Sequence, residues 1–539
     1  MKLKIIPLGG VEEVGKNCTV FECGPDIIVV DMGFDFSGPD LPGVDFILPD
    51  ISYLERNKSR IRGIVITHGH LDHIGAIPYL VKRLGNPPIF GTKLTIGLIQ
   101  GRLEEDGVRY EKTTVIEPDK PFSLGIFKID PFHVVHNIPD SLGLAIKTPS
   151  GVIIHTGDFK FDESPVDQQP INKQKLRNFA KQGVIALLSD STNATLPGRV
   201  VSEKKVGQVV TSIIADAKGR IIFTTFSTLI SRIQQVINAC QRYGRKIAIA
   251  GLSIKKSIAI AEKLGYLTIP PELFIDPEKV RDYPDRELLI LAGGAQGVEG
   301  SSIVRMAQGE HRLIKIRTTD TVVFSSSAIP GNELAIHKVM NGIIDQGAKI
   351  IYQPVLGLGV HSSGHAFQED LKEMLKLTRP RFFIPIEGEH YMQAAHIELA
   401  RSTGIKEENC FMLRNGQILE IDERARAQIL PKKVVGLFIV VEGKRVRILK
   451  EKIFILRRKM AESGICVIGL CYREKYVPEI KLDFQGLVLE DEIVAETKNK
   501  VKRLIQKYGL AAESRKKIEA SIGDFLLNKI GKQPLVVII

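Results

Sequence analysis

The sequence predicts an α/β protein with a doubly wound unit in its middle and a small separate α/β module at its end. Three observations carry that reading. Short apolar strands separated by Gly, Asp and Asn turns fill roughly the first two hundred residues. Helices and strands alternate from about Ser202, and the texture changes again from about Pro431.

In the first stretch the strands are 2–8, 27–31, 63–67, 151–155 and 184–189, each a run of large apolar and β-branched residues. His and Asp residues of the kind found in active sites stand just after them, where rigid strand ends present loops. The middle reads as helix 204–217, strand 220–224, helix 231–242 and strand 246–250. Further strands at 288–291, 322–326 and 349–352 follow, with Pro330-Gly331-Asn332 turning into a helix at Glu333. After His361 come a second group of site-like residues, a strand 381–385, a helix after Met392 and an apolar strand pair around 410–421. The chain is therefore expected to return to its first domain, giving boundaries of 1–201, 202–360, 361–430 and 431–539. The last stretch has a strand-rich start, two charged helical segments between Asp491 and Lys529, and a closing strand 534–539.

Composition narrows the partners. With 539 residues, 44% hydrophobic and 25% charged, the chain is long enough for several domains with large cores. No run approaches the roughly 18 consecutive apolar residues of a membrane-spanning helix, and the first residues lead straight into a strand, so a cytoplasmic protein without membrane attachment is expected. The six cysteines contain no C-x-x-C pair, which argues against disulfides or a thiolate zinc knuckle. A formal charge of +12 favours a polyanionic partner. The basic runs at 457–459 and 498–503 read as solvated helix faces, and the absence of Trp leaves Phe, Arg and His to hold bases.

The chemistry concentrates in His68-Gly69-His70-Leu71-Asp72-His73, where one strand delivers four ligand-type side chains into a tight loop. Imidazole nitrogen mixed with carboxylate oxygen suits zinc or manganese in a hydrolytic centre. One loop cannot fill two coordination spheres, so later strand ends must contribute. His136 and Asp158 are the candidates, with His133 and His155 as competitors that read as packed or supporting histidines.

Taken in order, Asp31, the run 67–79, His136-Asn137-Ile138-Pro139-Asp140, His155-Thr156-Gly157-Asp158-Phe159-Lys160, the run 188–194, 330–333 and His361-Ser362-Ser363-Gly364-His365-Ala366 form one pattern. On those motifs the chain resembles the ribonuclease J family, in the β-CASP branch of the metallo-β-lactamase superfamily, over essentially its whole length. The resemblance implies a metallo-β-lactamase αββα sandwich, in parts 1–201 and 361–430, interrupted by the doubly wound β-CASP domain at 202–360. It implies one metal on His68, His70 and His136, a second on Asp72 and His73, and Asp158 bridging both. Asp31 would support the ligand loop from behind. Two divalent ions follow, Zn2+ as the first expectation and Mn2+ as the alternative, activating water and neutralising the attacked phosphate. The family's last ligand is the histidine of a His-Gly-Glu motif, and this chain has Glu387 there. Three readings stay open: Glu387 ligates, His390 substitutes, or the second site is weakened or empty.

Cleaving a phosphodiester also requires a proton for the departing oxygen. His365 is the candidate acid, with Asp190 orienting it or, alternatively, only capping the turn at 191–193. The segment His361, Ser362, Ser363, Gly364 and His365 has the composition to grip phosphate, and the resemblance assigns it a 5′-monophosphate end. Gly293-Gly294-Ala295-Gln296-Gly297 lacks dinucleotide-loop spacing and reads as a tight turn, while Ser325-Ser326-Ser327 reads as a strand end or, alternatively, as an RNA contact.

The expected protein is a metal-dependent ribonuclease acting 5′ to 3′ on monophosphorylated single-stranded RNA, with internal cleavage also within its chemistry. Its terminal module resembles the family's self-association domain, so a homodimer or homotetramer is implied. The rivals are an RNA-binding subunit with a decayed metal site and a metallo-β-lactamase-fold hydrolase of small thioesters or lactams.

Overall fold

The computed structural model describes all residues except 39–40, 167–168, 330, 353–358, 435 and 472–478. The turn expected at Pro330 thus lies outside the described residues; the helix after it runs Glu333–Asp345.

By internal contacts the chain divides into Met1–Asp35 with Leu48–Gly436, and Phe36–Ile47 with Leu437–Ile539. In the first unit two sheets lie face to face. One has eight strands in the order Ala427–Leu430, Ile418–Ile421, Leu3–Gly9, Cys18–Cys23, Asp26–Val30, Ile61–Val65, Ile89–Gly91, Thr113–Val115. The other has six, in the order Phe382–Ile386, Val184–Asp190, Gly151–His155, Leu142–Thr148, Phe127–His133, Phe122–Leu124. Alternate side chains from both meet in a dry layer: Leu3, Ile5, Phe21, Ile28 and Val65 from one, Leu144, Ile146, Ile153, Leu188 and Ile384 from the other. The opposite side chains of the six-stranded sheet, among them Ile154, Leu187 and Phe383, pack on helices Lys173–Lys181, Gln368–Thr378 and His390–Ser402. Val184–Asp190 is therefore buried on both faces, which is why it reads as an unbroken apolar run.

The chain leaves this sandwich near Val201 and builds a third sheet, all parallel, in the order Phe274–Ile275, Lys246–Ala250, Leu288–Ala292, Ile221–Thr225, Thr321–Ser325, Lys349–Tyr352. Helices cover both faces, with Val206, Val210, Ile233 and Ile237 on one and Ile303, Ile336, Val339 and Ile343 on the other. It re-enters the sandwich at Val360, and Phe382–Ile386 pairs in parallel with Val184–Asp190. Two strand ends from distant parts of the sequence thus stand side by side.

The strand pair expected around 410–421 is corrected. Only Ile418–Ile421 is a strand there, between Leu3–Gly9 and Ala427–Leu430, while Cys410 makes a single bridge to Phe383. Asn415-Gly416 forces the break: Gly416 takes a positive φ of 80° and its N–H donates to the Pro7 carbonyl.

The second unit holds two small sheets. Strand Phe438–Glu442 lies between Arg445–Leu449 and Phe46–Leu48, and Val44, Val440, Leu449 and Phe454 form its core. Ile465–Cys471 pairs with Glu479–Gln485 and Leu535–Ile538 under helices Asp491–Tyr508 and Ala512–Ile530. Among the described residues no helix is long and apolar enough to cross a membrane.

Candidate metal centre

Strand Ile61–Val65 ends in the run from Thr67 to His73, so the loop leaves a rigid, buried support. Leu71–Ile74 is one helical turn. It separates the donors into two groups: His68 and His70 meet His136 and Asp158, whereas Asp72 and His73 meet Asp158, with donor atoms in each group within 4.8 Å of one another.

In the first group His68 Nε2 and His136 Nε2 each lie 3.1 Å from His70 Nδ1. They stand 3.6 and 3.8 Å from Asp158 Oδ2. Burial, together with the neighbouring imidazoles, holds His68 and His136 well below the ordinary histidine range and takes His70 down to about 4. Neutral rings with inward lone pairs are what a cation requires. The tautomer of His136 is set from behind, since its Nδ1 donates to the Gly364 carbonyl at 2.9 Å. Only glycine permits that approach, because a Cβ at position 364 would come within 2.5 Å of His136 Cε1.

In the second group His73 Nε2 lies 3.3 Å from Asp158 Oδ2 and 3.5 Å from Asp72 Oδ2. Its Nδ1 donates to Asp31 Oδ2 at 2.9 Å. Asp31 sits in the left-handed region with φ 63° and accepts from the Thr67 N–H at 2.8 Å, which ties the loop to the preceding strand. Burial opposes charge on His73, but Asp158, Asp72 and Asp31 outweigh it and raise the imidazole well above its usual value. Asp158 is pushed up by its own burial against the pull of His73, while Asp72 is held well below the carboxylate range by His73 in spite of burial. Converging imidazole nitrogens and carboxylate oxygens, with no lysine or arginine among them, fit divalent metal ions.

Glu387 follows strand Phe382–Ile386 with φ 50°, and its backbone is pinned by Gly10 O, Ser191 N–H and Thr192 Oγ1. Its Oε1 accepts from the Gly15 N–H at 2.9 Å, while its Oε2 is buried with no hydrogen-bond partner. Burial, and after it the Asp158 charge, raises its carboxyl well above the ordinary range. His390 stands apart, its half-exposed ring 2.7 Å from Glu12 Oε1.

His365 Nδ1 lies 2.8 Å from Asp190 Oδ2, and 4.0 Å from Asp158 Oδ2. Asp190 does two things at once, because its other oxygen accepts from the Thr192 N–H and hydroxyl at 2.9 and 2.7 Å. Although burial opposes it, the Asp190 carboxylate raises His365 to about 9. A partly exposed imidazolium beside the donor clusters is equipped to deliver a proton.

The segment before His365 is anchored inward. The Ser362 hydroxyl is committed to the Val201 carbonyl and accepts from Lys160 Nζ at 3.2 Å. Ser363 Oγ accepts from Asn193 Nδ2 at 2.7 Å, and His361 is buried beside Ser327 and Phe226. Under this segment lies a fully buried triad: Glu203 pairs with Lys160 at 3.1 Å and with Arg232, which also donates to the Val360 carbonyl. It clasps both crossings between the sandwich and the inserted sheet.

Several of these residues escaped the sequence reading. Gly15, Asn17 (its Nδ2 3.1 Å from His73 Nε2), Asn193, Glu203 and Arg232 carry no local signal, because their partners are distant in the chain. Lys160 was visible inside His155-Thr156-Gly157-Asp158-Phe159-Lys160, but nothing there foretold Glu203. His155 packs instead against Phe21, its Nδ1 accepting from the Gly157 N–H. Gln296 accepts from the Ile329 N–H and donates to the Ser327 carbonyl, so the 293–297 turn braces the neighbouring loop.

Comparison with known proteins gives three family matches in chain order. The metallo-beta-lactamase superfamily matches at 11–185, the ribonuclease J beta-CASP domain at 218–343, and the Zn-dependent metallo-hydrolase RNA specificity domain at 359–413. Ribonuclease J of Synechocystis sp. is 39% identical over 91% of this chain and 78% of its own length. That of Thermus thermophilus is 40% identical, covering 89% of this chain and 84% of the relative. Ribonuclease J2 of Bacillus subtilis is 38% identical over 86% and 83%. A solved structure of a protein of unknown function from Enterococcus faecalis superposes with a TM-score of 0.54 at 15% identity, covering 78% of this chain and all of that one, a likeness of fold.

Proposed function

The chain belongs to the ribonuclease J family of metal-dependent ribonucleases, and from that premise we propose that it degrades single-stranded RNA 5′ to 3′ from monophosphorylated ends. Internal cleavage uses the same centre. We place it in the cytoplasm as a homodimer or homotetramer, assembled through its C-terminal unit.

His68, His70, His136 and Asp158 would hold one divalent ion, and Asp72, His73 and Asp158 a second, with Glu387 beside it. When bound, such ions lower the pKa of water and offset the charge of the scissile phosphate. The protein's own groups do the rest. Asp31 and the Gly364 carbonyl fix the His73 and His136 tautomers, so that Nε2 of each faces the centre. Asp190 keeps His365 protonated and aimed, and His365 donates its proton to the departing oxygen. Ser363, Gly364 and His361 shape the site for the terminal phosphate, with Ser362 tying that segment down through Lys160.

The observation that carries this reading is the Asp190–His365 pair standing 4.0 Å from Asp158 Oδ2, an acid for the leaving group next to metal-binding donors. A time course on 5′-labelled RNA carrying a monophosphate, triphosphate or hydroxyl end tests it. Mononucleotide release from the monophosphate substrate, at least about tenfold faster than from the others, is the expected result; equal rates on all three sink the end-recognition reading. His365→Gln should lower kcat by about 10²- to 10⁴-fold with metal content unchanged. Metal content and single-turnover rate, measured together, check it.

A further inference from the structure

The buried triad of Lys160, Glu203 and Arg232 takes no part in the chemistry above, yet each member is tied to a part of the site. Lys160 stands two residues after Asp158, and its N–H donates to the Val135 carbonyl at 2.8 Å, so its backbone is bridged beside His136 as well. Its Nζ donates to Ser362 Oγ at 3.2 Å. Arg232, on helix Ile230–Arg242 against the inserted sheet, donates to the Val360 carbonyl at 2.8 Å, and that carbonyl also accepts from Ser325 Oγ at 2.7 Å. Glu203 joins the two cations from the outgoing crossing. Gln235 braces it, accepting from Arg232 Nε at 2.8 Å and donating to the Glu203 carbonyl at 3.1 Å. The segment 360–365 is thus set at its start by Arg232, in its middle by Lys160, and at its end by Asn193 and by His136 on the Gly364 carbonyl.

Apolar side chains would hold these elements together equally well, since a buried ion triad gains little or no stability over a well-packed apolar trio. What directional, charge-assisted hydrogen bonds add is a fixed geometry. Here that geometry relates the phosphate segment to His136 and Asp158. For an enzyme that works from an end, the span between the bound terminal phosphate and the cleaved bond sets how many nucleotides leave at each step. We propose that Lys160, Glu203 and Arg232 are positioning residues for end recognition, holding the segment 361–365 at the span that releases one nucleotide per step. This rests on the reading that the segment receives the terminal phosphate.

The test uses the full chain and two variants. The triple change Lys160→Met, Glu203→Leu and Arg232→Met replaces the triad by apolar side chains of similar volume. Arg232→Lys keeps a cation for Glu203 and loses the second donor that reaches Val360. Melting curves verify that each folds, and if the triple variant does not, Arg232→Lys decides alone. On 5′-monophosphorylated RNA the wild type should release mononucleotides only, whereas the variants should release a mixture of mono-, di- and trinucleotides. Their preference for monophosphate over hydroxyl ends, as the ratio of kcat/KM values, should fall at least about tenfold, the scale of a misplacement far from the reacting atoms. A merely structural role would leave product length and that ratio unchanged in a folded variant. Folded variants with the wild-type product length and ratio overturn the role of the triad while end recognition stands. A wild type that cleaves monophosphate, triphosphate and hydroxyl ends at equal rates overturns both.

Discussion

Asp158→Asn should abolish cleavage while leaving the fold intact. Asp158 is 3% exposed and is common to both donor groups, its Oδ2 within 3.3 to 3.8 Å of His73, His68 and His136. The amide keeps the shape and loses the anionic oxygen on which the two groups converge. A loss of at least about three orders of magnitude in kcat/KM, about 4 kcal/mol of transition-state stabilisation, is expected, together with reduced metal content. The metal-free variant should still unfold in one cooperative transition, because the amide keeps the shape of the buried carboxylate. Single-turnover cleavage and melting of the same preparations check both parts. Turnover within tenfold of wild type would refute the metal-dependent reading.

Glu203→Ala should be the most destabilising single change outside the cores. Lys160 and Arg232 are both 0% exposed and share Glu203 as their carboxylate partner. Removing it leaves two buried cations uncompensated, a loss of about 3–5 kcal/mol. The same pairing sets a pH dependence. Burial works against the Glu203 carboxylate, but Lys160 and Arg232 prevail and take it from 4.5 down to about 2. A carboxyl depressed in the folded state contributes stability that is complete above its unfolded value and is lost as pH falls through the folded one. The contribution, on the order of 3 kcal/mol, should therefore disappear between pH 4.5 and 2. Urea unfolding at several pH values reads it. Glu203→Gln should lack that component, and an acid limb identical to wild type would show that the triad does not govern it.

Legibility in the sequence followed the range of the interactions. Runs such as 184–189 and the alternation after Ser202 announced the two kinds of sheet, because burial on one face or two writes itself into local hydrophobic pattern. The ligand loop was legible for the same reason, since its four donors are neighbours in sequence. The clasp of Glu203 on Lys160 and Arg232 was not, being made by ordinary charged residues on separate elements. The inward turn of Ser362 was equally hidden: a serine beside histidines reads as a phosphate contact until Lys160 and the Val201 carbonyl are seen to hold it. Around Cys410 the apolar pattern overstated the structure, because a Gly416 turn interrupts what looks like continuous strand.

The strand Phe46–Leu48 adds a constraint in time. Its neighbour Phe438–Glu442 is made nearly four hundred residues later, which at typical rates of synthesis is a delay of tens of seconds. Until then Leu41, Val44 and Ile47 have no core to enter, and an apolar strand edge stays open on a nascent chain. The C-terminal unit is therefore not a contiguous cassette. A gene fragment beginning at Leu437 lacks a strand, and one ending at Gly436 carries that strand without its Phe438–Glu442 neighbour.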